Sequence, residues 1–151
     1  MGASYCFGVR TPRNFRAPFA AVDIKDFWNR WHITLSTWLR DFVFMRFVRW
    51  ATKRKVFGSR LSCACAAYMV DMALMGAWHG LTADYLAYGV YHGALLAATE
   101  AYQKKSSFHR RNRDRIWYRL LSWFITMQLV FLGFALFSGQ LHLIAERIIN
   151  G

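Results

Sequence analysis

Beyond residue 60, apolar residues fall into three long runs separated by polar or basic segments. Residues 61–78 are apolar except for Asp71, residues 81–99 form a second run, and residues 116–138 form the clearest one. As a helix rising 1.5 Å per residue, the last run spans about 34 Å, enough to cross a bilayer core of about 30 Å. The pattern therefore predicts an all-α protein, a polytopic bundle of integral membrane helices.

The part of the chain before these runs is predicted to be helical without facing lipid. Residues 1–22 read as a loop because two prolines interrupt them, and Asp23 and Asp26 are candidate helix caps. Residues 23–50 follow a helical period rich in aromatic side chains but carry several charges, namely Arg30, Arg40, Asp41, Arg46 and Arg49. We therefore expect one or two helices here that pack on protein or lie near the membrane interface.

The charge balance distinguishes a membrane protein with cationic loops from a soluble basic domain. Hydrophobic residues make up 56% and aromatic residues 18% of the 151 residues, yet 20 Lys and Arg stand against 8 Asp and Glu, a net charge of +12. Soluble nucleic-acid-binding proteins can be this basic, but the many Phe and Trp residues disfavour that class. The positive residues cluster at 51–60 and 103–115, which the positive-inside rule places in the cytoplasm.

These two basic segments predict a topology for the runs between them. Residues 61–78 and 81–99 form a hairpin that crosses outward and returns, with His79 and Gly80 at its outer turn. The tail, 139–151, has a mixed composition and is expected at the interface. The start of the chain does not read as a signal peptide, because arginines follow its short apolar beginning instead of preceding a long apolar core.

Trp28, Asn29, His32 and Ser36 form the first candidate constellation. On a continuous helix, Trp28, His32 and Ser36 would share one face, with Asn29 one turn from His32. Hydroxyl and amide neighbours can fix the tautomer of a histidine that handles protons. The alternative is a buried polar cluster that only stabilises helix packing.

A second constellation surrounds the Trp-His-Gly triplet at 78–80, where Asp71, Met75 and His79 fall on one helical face. A carboxylate in a membrane span costs about 2.5–3.5 kcal/mol on insertion scales, which favours a position facing a cavity and marks Asp71 as a functional candidate. The alternative is a histidine that ends a helix at the water interface. His92, in a second aromatic-His-Gly triplet, lacks a carboxylate one turn away and is interpreted as a packing or pathway residue.

Other catalytic motifs are missing from the sequence. It contains no His-x-x-x-His pair, P-loop, dinucleotide fingerprint or Gly-x-Ser-x-Gly motif. Cys63 and Cys65 do not have the spacing of metal ligands. We therefore expect neither a bound metal nor a serine nucleophile.

The block "DFWNRWHITLSTWLRDFVFMRF", followed further along by "MGAWHG" and "YHG", resembles the C-terminal part of the membrane-bound O-acyltransferase family. The upstream "FGVRTPRNFRAPFAAVDIKDFWNRWH" also fits, so the resemblance extends over nearly the whole chain. The alginate O-acetylation branch of the family shares the Arg-Trp-His-Ile-x-Leu-Ser-x-Trp-Leu-Arg-Asp core but usually continues into a loop rich in glycine and asparagine. This chain continues as "FVFMRFVRWATKRK" and is more similar to the branch that D-alanylates teichoic acid in Gram-positive bacteria.

The resemblance implies that residues 1–151 are the C-terminal third of a single membrane domain, in a multi-pass protein of the cell membrane with a passage through its middle. It identifies His79 with the family's invariant histidine, which would act as general base, and His32 with the family's second histidine. The residues that we expect to line the passage are Asn29, Ser36, Asp71, Trp78 and His92.

Substrates and partners also follow from the resemblance. D-alanine would arrive as a thioester on the phosphopantetheine of a carrier protein at the cytoplasmic face, and teichoic acid or a membrane-bound intermediate would accept it. The chain itself is expected to bind no cofactor directly and no nucleic acid, and its basic segments are candidates for docking an acidic carrier or anionic lipid headgroups.

Members of this family are much longer than 151 residues, so the chain is expected to be a fragment or to work with a partner that supplies the remaining helices. Two alternative functions stay open at this point. The first is an O-acetyltransferase of an exported polysaccharide of the alginate type. The second is an inactive membrane fragment that acts as a scaffold.

Overall fold

The computed structural model describes residues 6–8 and 11–139, and every regular element within these ranges is helical, as the apolar pattern predicts. The tail predicted to lie at the interface falls, from residue 140 onward, outside the described residues. A short 3-10 turn (Pro18–Ala20) precedes the α-helices of this part of the chain, which are α1 (Ile24–Trp28), α2 (Ile33–Leu39), α3 (Met45–Lys53), α4 (Arg60–His79), α5 (Ala83–Lys105), α6 (Ser107–Asn112) and α7 (Ile116–Phe137). A π-helical segment, Arg40–Phe44, joins α2 to α3.

Two of these helices, α4 and α7, are long and apolar enough to cross a membrane. Their bounds lie within one residue of the predicted runs 61–78 and 116–138. The third predicted run, 81–99, is also helical, but α5 extends beyond it to Lys105. Polar residues such as Asp84, His92 and Glu100 interrupt the apolar sequence of α5. This helix is therefore less apolar than α4 and α7 and is not one of the two that are apolar enough to cross a membrane.

Helices α4 and α5 form the predicted hairpin, and glycines set the distance between them. A Cβ atom added to Gly76 would lie 2.4 Å from the carbonyl oxygen of Tyr85, and one added to Gly89 would lie 2.5 Å from that of Met72. Because the two helices are antiparallel, the basic segments that flank the hairpin lie at one end of it. The turn after His79 lies at the other end.

The core lies where α1, α4, α5 and α7 meet. Its buried members include Phe27 from α1, Met75 from α4, Tyr88 from α5 and Val130 from α7. Many large apolar side chains of α7, and Leu74 of α4, remain exposed, as expected for helices that face lipid or further protein.

Polar contacts fix helix α1 to the C-terminal end of α5. The predicted cap Asp23 accepts a hydrogen bond from the backbone N–H of Asp26 at 2.8 Å, whereas Asp26 lies inside α1 and accepts from the N–H of Val22 at 3.2 Å. The ammonium group of Lys25 lies 2.7 Å from the carboxylate of Glu100. These contacts orient the chain that leads to His32.

The predicted basic loops are partly helical. Helix α3 continues to Lys53 and shortens the first loop to residues 54–59, and α6 occupies much of the segment 103–115. Ser106 begins α6 because its hydroxyl accepts a hydrogen bond from the N–H of His109 at 3.1 Å. Lys and Arg have high helix propensity, so a basic composition does not by itself predict a loop.

Candidate active site

His79 is the last residue of α4 and is half-buried among aromatic rings. Its ring centroid lies 4.8 Å from that of Trp78, 5.0 Å from Phe137 and 6.1 Å from Tyr85. Gly80 allows this arrangement, because a Cβ atom there would lie 2.6 Å from the Tyr85 ring. The imidazole therefore lies at the end of the hairpin, surrounded by aromatic rings from α4, α5 and α7. We call these rings the aromatic wall.

His32 lies in a break between α1 and α2, which corrects the prediction of one continuous helical face. Its backbone is left-handed, with φ 47° and ψ 50°, a conformation that costs a non-glycine residue about 1–3 kcal/mol. Trp28, His32 and Ser36 consequently do not share a face. Strain of this kind persists where the surrounding structure enforces it, and it is concentrated at functional sites.

Hydrogen bonds from the N-terminal segment hold this break in place. The backbone N–H of Arg16 donates to the carbonyl of Arg30 at 2.9 Å, and the N–H of Ile33 donates to the carbonyl of Asn14 at 2.9 Å. Arg30 also donates to Asp26 at 2.7 Å, and this hydrogen bond raises the pKa of the Arg30 guanidinium. The conformation of His32 is therefore imposed by residues on both sides of it.

Asn14, which the sequence analysis missed, caps α2 from a distance. Its side-chain oxygen accepts hydrogen bonds from the N–H of Thr34 at 3.1 Å and from the Thr34 hydroxyl. His32, the residue at the N-cap position, makes no side-chain cap bond. Its imidazole is thus not used for capping, and its Nδ1 is buried without a hydrogen-bond partner among the described residues.

Replacing Asn14 by alanine is expected to lower the free energy of unfolding by about 1 kcal/mol, the usual effect of losing an N-cap. Amide hydrogen exchange in residues 29–36 should also become faster, because Asn14 holds the start of α2 next to His32. Chemical denaturation of the purified protein measures the first effect. Ser59→Ala is the matched control, since it removes the cap of α4, a bond of 3.0 Å from the N–H of Ser62, at the opposite end of the hairpin from His79. Equally fast exchange of residues 29–36 in both variants would contradict the assignment of Asn14 to the His32 segment.

The two predicted histidines meet at Trp78. The His32 ring lies edge-on to the Trp78 ring with centroids 6.4 Å apart, and Trp78 in turn contacts His79. Trp78 itself is 62% exposed in the described part of the chain. Two motifs that are far apart in sequence therefore place imidazoles beside the same exposed indole.

Asp71 lies two turns before His79 on α4, and Met75 lies between them, as the predicted face requires. Asp71 is buried, and its Oδ1 atom has no hydrogen-bond partner among the described residues. The π-helical segment packs against α4, and the backbone of its residue Phe44 lies near this carboxylate. Asp71 thus faces the segment that continues from α2, about 12 Å along α4 from His79.

The other predicted passage residues differ in their surroundings. Asn29 is exposed. Ser36 lies one turn after His32, its backbone N–H donates to the carbonyl of His32 at 3.0 Å, and its hydroxyl donates to the carbonyl of Trp31 at 3.1 Å. His92 is fully buried, and its Nδ1 accepts a hydrogen bond from the indole of Trp28 at 3.3 Å. The structure therefore brings together His32, Trp78 and His79 and places Trp28 with His92 in the core.

A groove of about 710 Å³ opens near the basic end of the molecule, between α5 and α7. Its lining includes Leu95, Tyr102, Tyr118 and Ile125 on the apolar side and Arg113 at the rim, but neither His32 nor His79. The groove is therefore separate from the candidate active site.

Comparison with known proteins gives consistent matches over nearly the whole chain. The model of the membrane-bound O-acyltransferase family matches residues 1–138. The teichoic acid D-alanyltransferase of Bacillus subtilis is 42% identical over 140 residues, covering 93% of this chain and 35% of that protein. The teichoic acid D-alanyltransferase of Streptococcus thermophilus is 40% identical, covering 94% of this chain and 36% of that protein.

More distant matches are named for transfer of an acetyl group instead of D-alanine. A probable alginate O-acetylase of Pseudomonas syringae is 32% identical, covering 98% of this chain and 26% of that protein. This chain thus spans about a third of the length of the D-alanyltransferases that it matches.

Proposed function

This chain belongs to the membrane-bound O-acyltransferase family, and on that basis we propose that it carries the acyl-transfer site of a teichoic acid D-alanyltransferase. The family places the chain in a multi-pass membrane protein, consistent with two helices that are long and apolar enough to cross a membrane. The higher identity to D-alanyltransferases (42%) than to the alginate O-acetylase (32%) supports D-alanine as the acyl group. The meeting of His32 and His79 at Trp78 is the observation that carries the proposal.

In the proposed reaction, an acceptor hydroxyl attacks the carbonyl carbon of a D-alanyl thioester. His79 takes the hydroxyl proton as general base, which a neutral imidazole does well because its ordinary pKa lies near working pH. The new C–O ester bond forms, the C–S bond breaks, and the thiolate leaves with the proton that His79 had accepted. Neither oxidation nor reduction is involved, so this chain needs no redox cofactor for the step.

We assign His32 to the same site, where its ring lies beside Trp78. Its left-handed backbone and unpaired buried Nδ1 are features of a side chain held for interaction with a substrate and not for packing. The aromatic wall of Tyr85, Tyr88 and Phe137 around His79 would exclude water, which protects a reactive thioester from hydrolysis.

The thioester would be delivered by the phosphopantetheine of a carrier protein, and teichoic acid or a membrane-bound intermediate would accept D-alanine. Both basic segments lie at one end of the hairpin and offer a positive surface to an acidic carrier. By the positive-inside rule that end is cytoplasmic, which puts the turn after His79 toward the outside. The acyl group would therefore be handed on toward the side of the membrane where the acceptor lies.

Isotope labelling separates D-alanyl transfer from acetyl transfer. Cells that produce the complete protein are supplied with labelled D-alanine in one culture and with labelled acetate in another. We expect D-alanine label to appear as an ester, released by mild alkali, on the envelope polymer, and we expect this label to disappear when the gene is deleted. Deletion-sensitive acetate ester without D-alanine ester would contradict the proposal and favour the O-acetyltransferase alternative. A gene deletion without effect on either label would favour the inactive scaffold.

A further inference from the structure

His92 is a buried polar residue that the proposed reaction does not use. It lies in the middle of α5 with 0% exposure, and its Nδ1 accepts a hydrogen bond from the Trp28 indole N–H at 3.3 Å. The two rings are perpendicular, with centroids 5.2 Å apart. Because Nδ1 accepts this bond, a neutral His92 carries its proton on Nε2.

The other side of the His92 ring is closed by α7. A Cβ atom added to Gly133 would lie 2.4 Å from Nε2, so the glycine makes room for the imidazole and leaves no space for a substrate beside it. Nε2 has no hydrogen-bond partner among the described residues. His92 is consequently held between Trp28 and Gly133, a geometry that suits a fixed anchor better than a residue lining a passage.

Trp28, which His92 holds, is the last residue of α1, and the break that contains His32 begins with the next residue. The indole of Trp28 is buried, as is the neighbouring Phe27, whose ring stacks on Trp31 with centroids 5.6 Å apart. The position of Trp28 therefore determines where the chain enters the left-handed turn at His32.

We propose that His92 is a positioning residue for acyl transfer: by accepting the hydrogen bond of Trp28, it fixes the start of the break that presents His32 to Trp78 and His79. This inference rests on the proposed function for its effect on rate, but the structural link between His92 and the His32 segment can be tested without activity. Misplacing a reacting or contacting group by about 1 Å can reduce a rate about 100-fold.

Three variants separate this role from others. His92→Leu replaces the acceptor by an apolar side chain of similar size. His92→Asn keeps an acceptor at the place of Nδ1. Trp28→Phe removes the donor and keeps a smaller aromatic ring. Each variant is made in the full-length protein and expressed in the cells that normally produce it. Two quantities are measured: the rate of D-alanine ester formation per molecule of membrane-inserted protein, and the hydrogen exchange of the purified protein, resolved by segment.

We expect His92→Leu and Trp28→Phe to reduce the rate about 10- to 100-fold and to speed amide exchange in residues 29–36 while that in residues 60–79 is unchanged. His92→Asn should restore most of the rate and the slow exchange. The combined variant Trp28→Phe/His92→Leu should lose little more rate than either single variant, because both substitutions remove the same hydrogen bond.

Several outcomes would overturn the proposal. If His92→Asn is as slow as His92→Leu although both are inserted, His92 transfers a proton or contacts substrate. If His92→Leu leaves rate and exchange unchanged, the hydrogen bond positions nothing. Should His92→Leu fail to fold, Trp28→Phe decides, and a normal rate in that variant overturns the inference. If the unaltered protein forms no D-alanine ester, the proposed function fails, whereas the exchange of residues 29–36 still supports or overturns the link to His32.

Discussion

Replacing His79 by alanine is expected to reduce D-alanine ester formation by about 10²- to 10⁴-fold, the usual contribution of a general base. The imidazole ends α4 beside Trp78 and Phe137, and these neighbouring rings cannot take over the proton of an attacking hydroxyl. The ring is only half-buried, so its loss should not prevent insertion or folding. The measurement is the amount of D-alanine released by mild alkali from envelopes of cells whose only copy of the protein carries His79→Ala.

Leu74→Ala is the control for this experiment, because Leu74 lies on the same helix with 49% of its surface exposed and has no titratable group. That variant should retain normal ester formation at equal protein level, as judged by immunoblot of the membranes. Ester formation in His79→Ala at the level of the unaltered protein would rule out His79 as the general base. A parallel loss of protein from the membrane would instead show that His79 supports folding.

Replacing Gly76 by alanine is expected to lower the free energy of unfolding by about 1–3 kcal/mol, the effect of overpacking a closely packed site. The new methyl group would lie 2.4 Å from a backbone oxygen of α5, and backbone atoms can move only if the two helices separate. Alanine's higher helix propensity, worth up to about 1 kcal/mol, works in the opposite direction and should not compensate fully. Since His79 follows Gly76 by one turn, ester formation should fall as well.

Gly58→Ala is the matched control, because a Cβ atom on Gly58 meets nothing within 4 Å. Thermal unfolding of the detergent-purified variants, followed by circular dichroism, compares the two. A lower midpoint for Gly76→Ala with an unchanged midpoint for Gly58→Ala is the expected result. If both midpoints stay unchanged, the close approach of α4 and α5 at Gly76 does not determine stability.

The sequence predicted best what depends on local composition. The bounds of α4 and α7 follow from apolar runs, and the hairpin follows from the two basic segments that flank it. The cap at Asp23 was predicted because a capping aspartate and its amide partner are close in sequence. The helical period alone was enough to predict that Asp71, Met75 and His79 lie on one face.

The break at His32 was not predictable from the same rules, because its causes are distant in sequence. Asn14 supplies the cap of α2, and His92 holds the end of α1 through Trp28. The local sequence "NRWHITLS" has an unbroken helical pattern and contains neither glycine nor proline. Tertiary hydrogen bonds overrode this propensity, as they often do near functional sites.

The pairing of the two histidines was likewise suggested by family resemblance and not by the residues alone. The spacing of residues in the sequence predicted that His32 and His79 lie on separate helices, but it did not predict the distance between them. Their contacts with Trp78 arise because the hairpin turn and the start of α2 lie side by side in the fold. An aromatic residue directly before a candidate histidine is a signal that sequence reasoning could use more fully.

The central claim, that His32 and His79 serve one acyl-transfer site, is tested most directly by a double-variant cycle. D-alanine ester formation per molecule of membrane protein is measured for His32→Ala, for His79→Ala and for the combined variant. Groups that act as a unit give losses that are far from additive. We expect the combined variant to lose little more ester formation than His79→Ala alone. Independent losses that multiply, or normal ester formation after either single change, would contradict it.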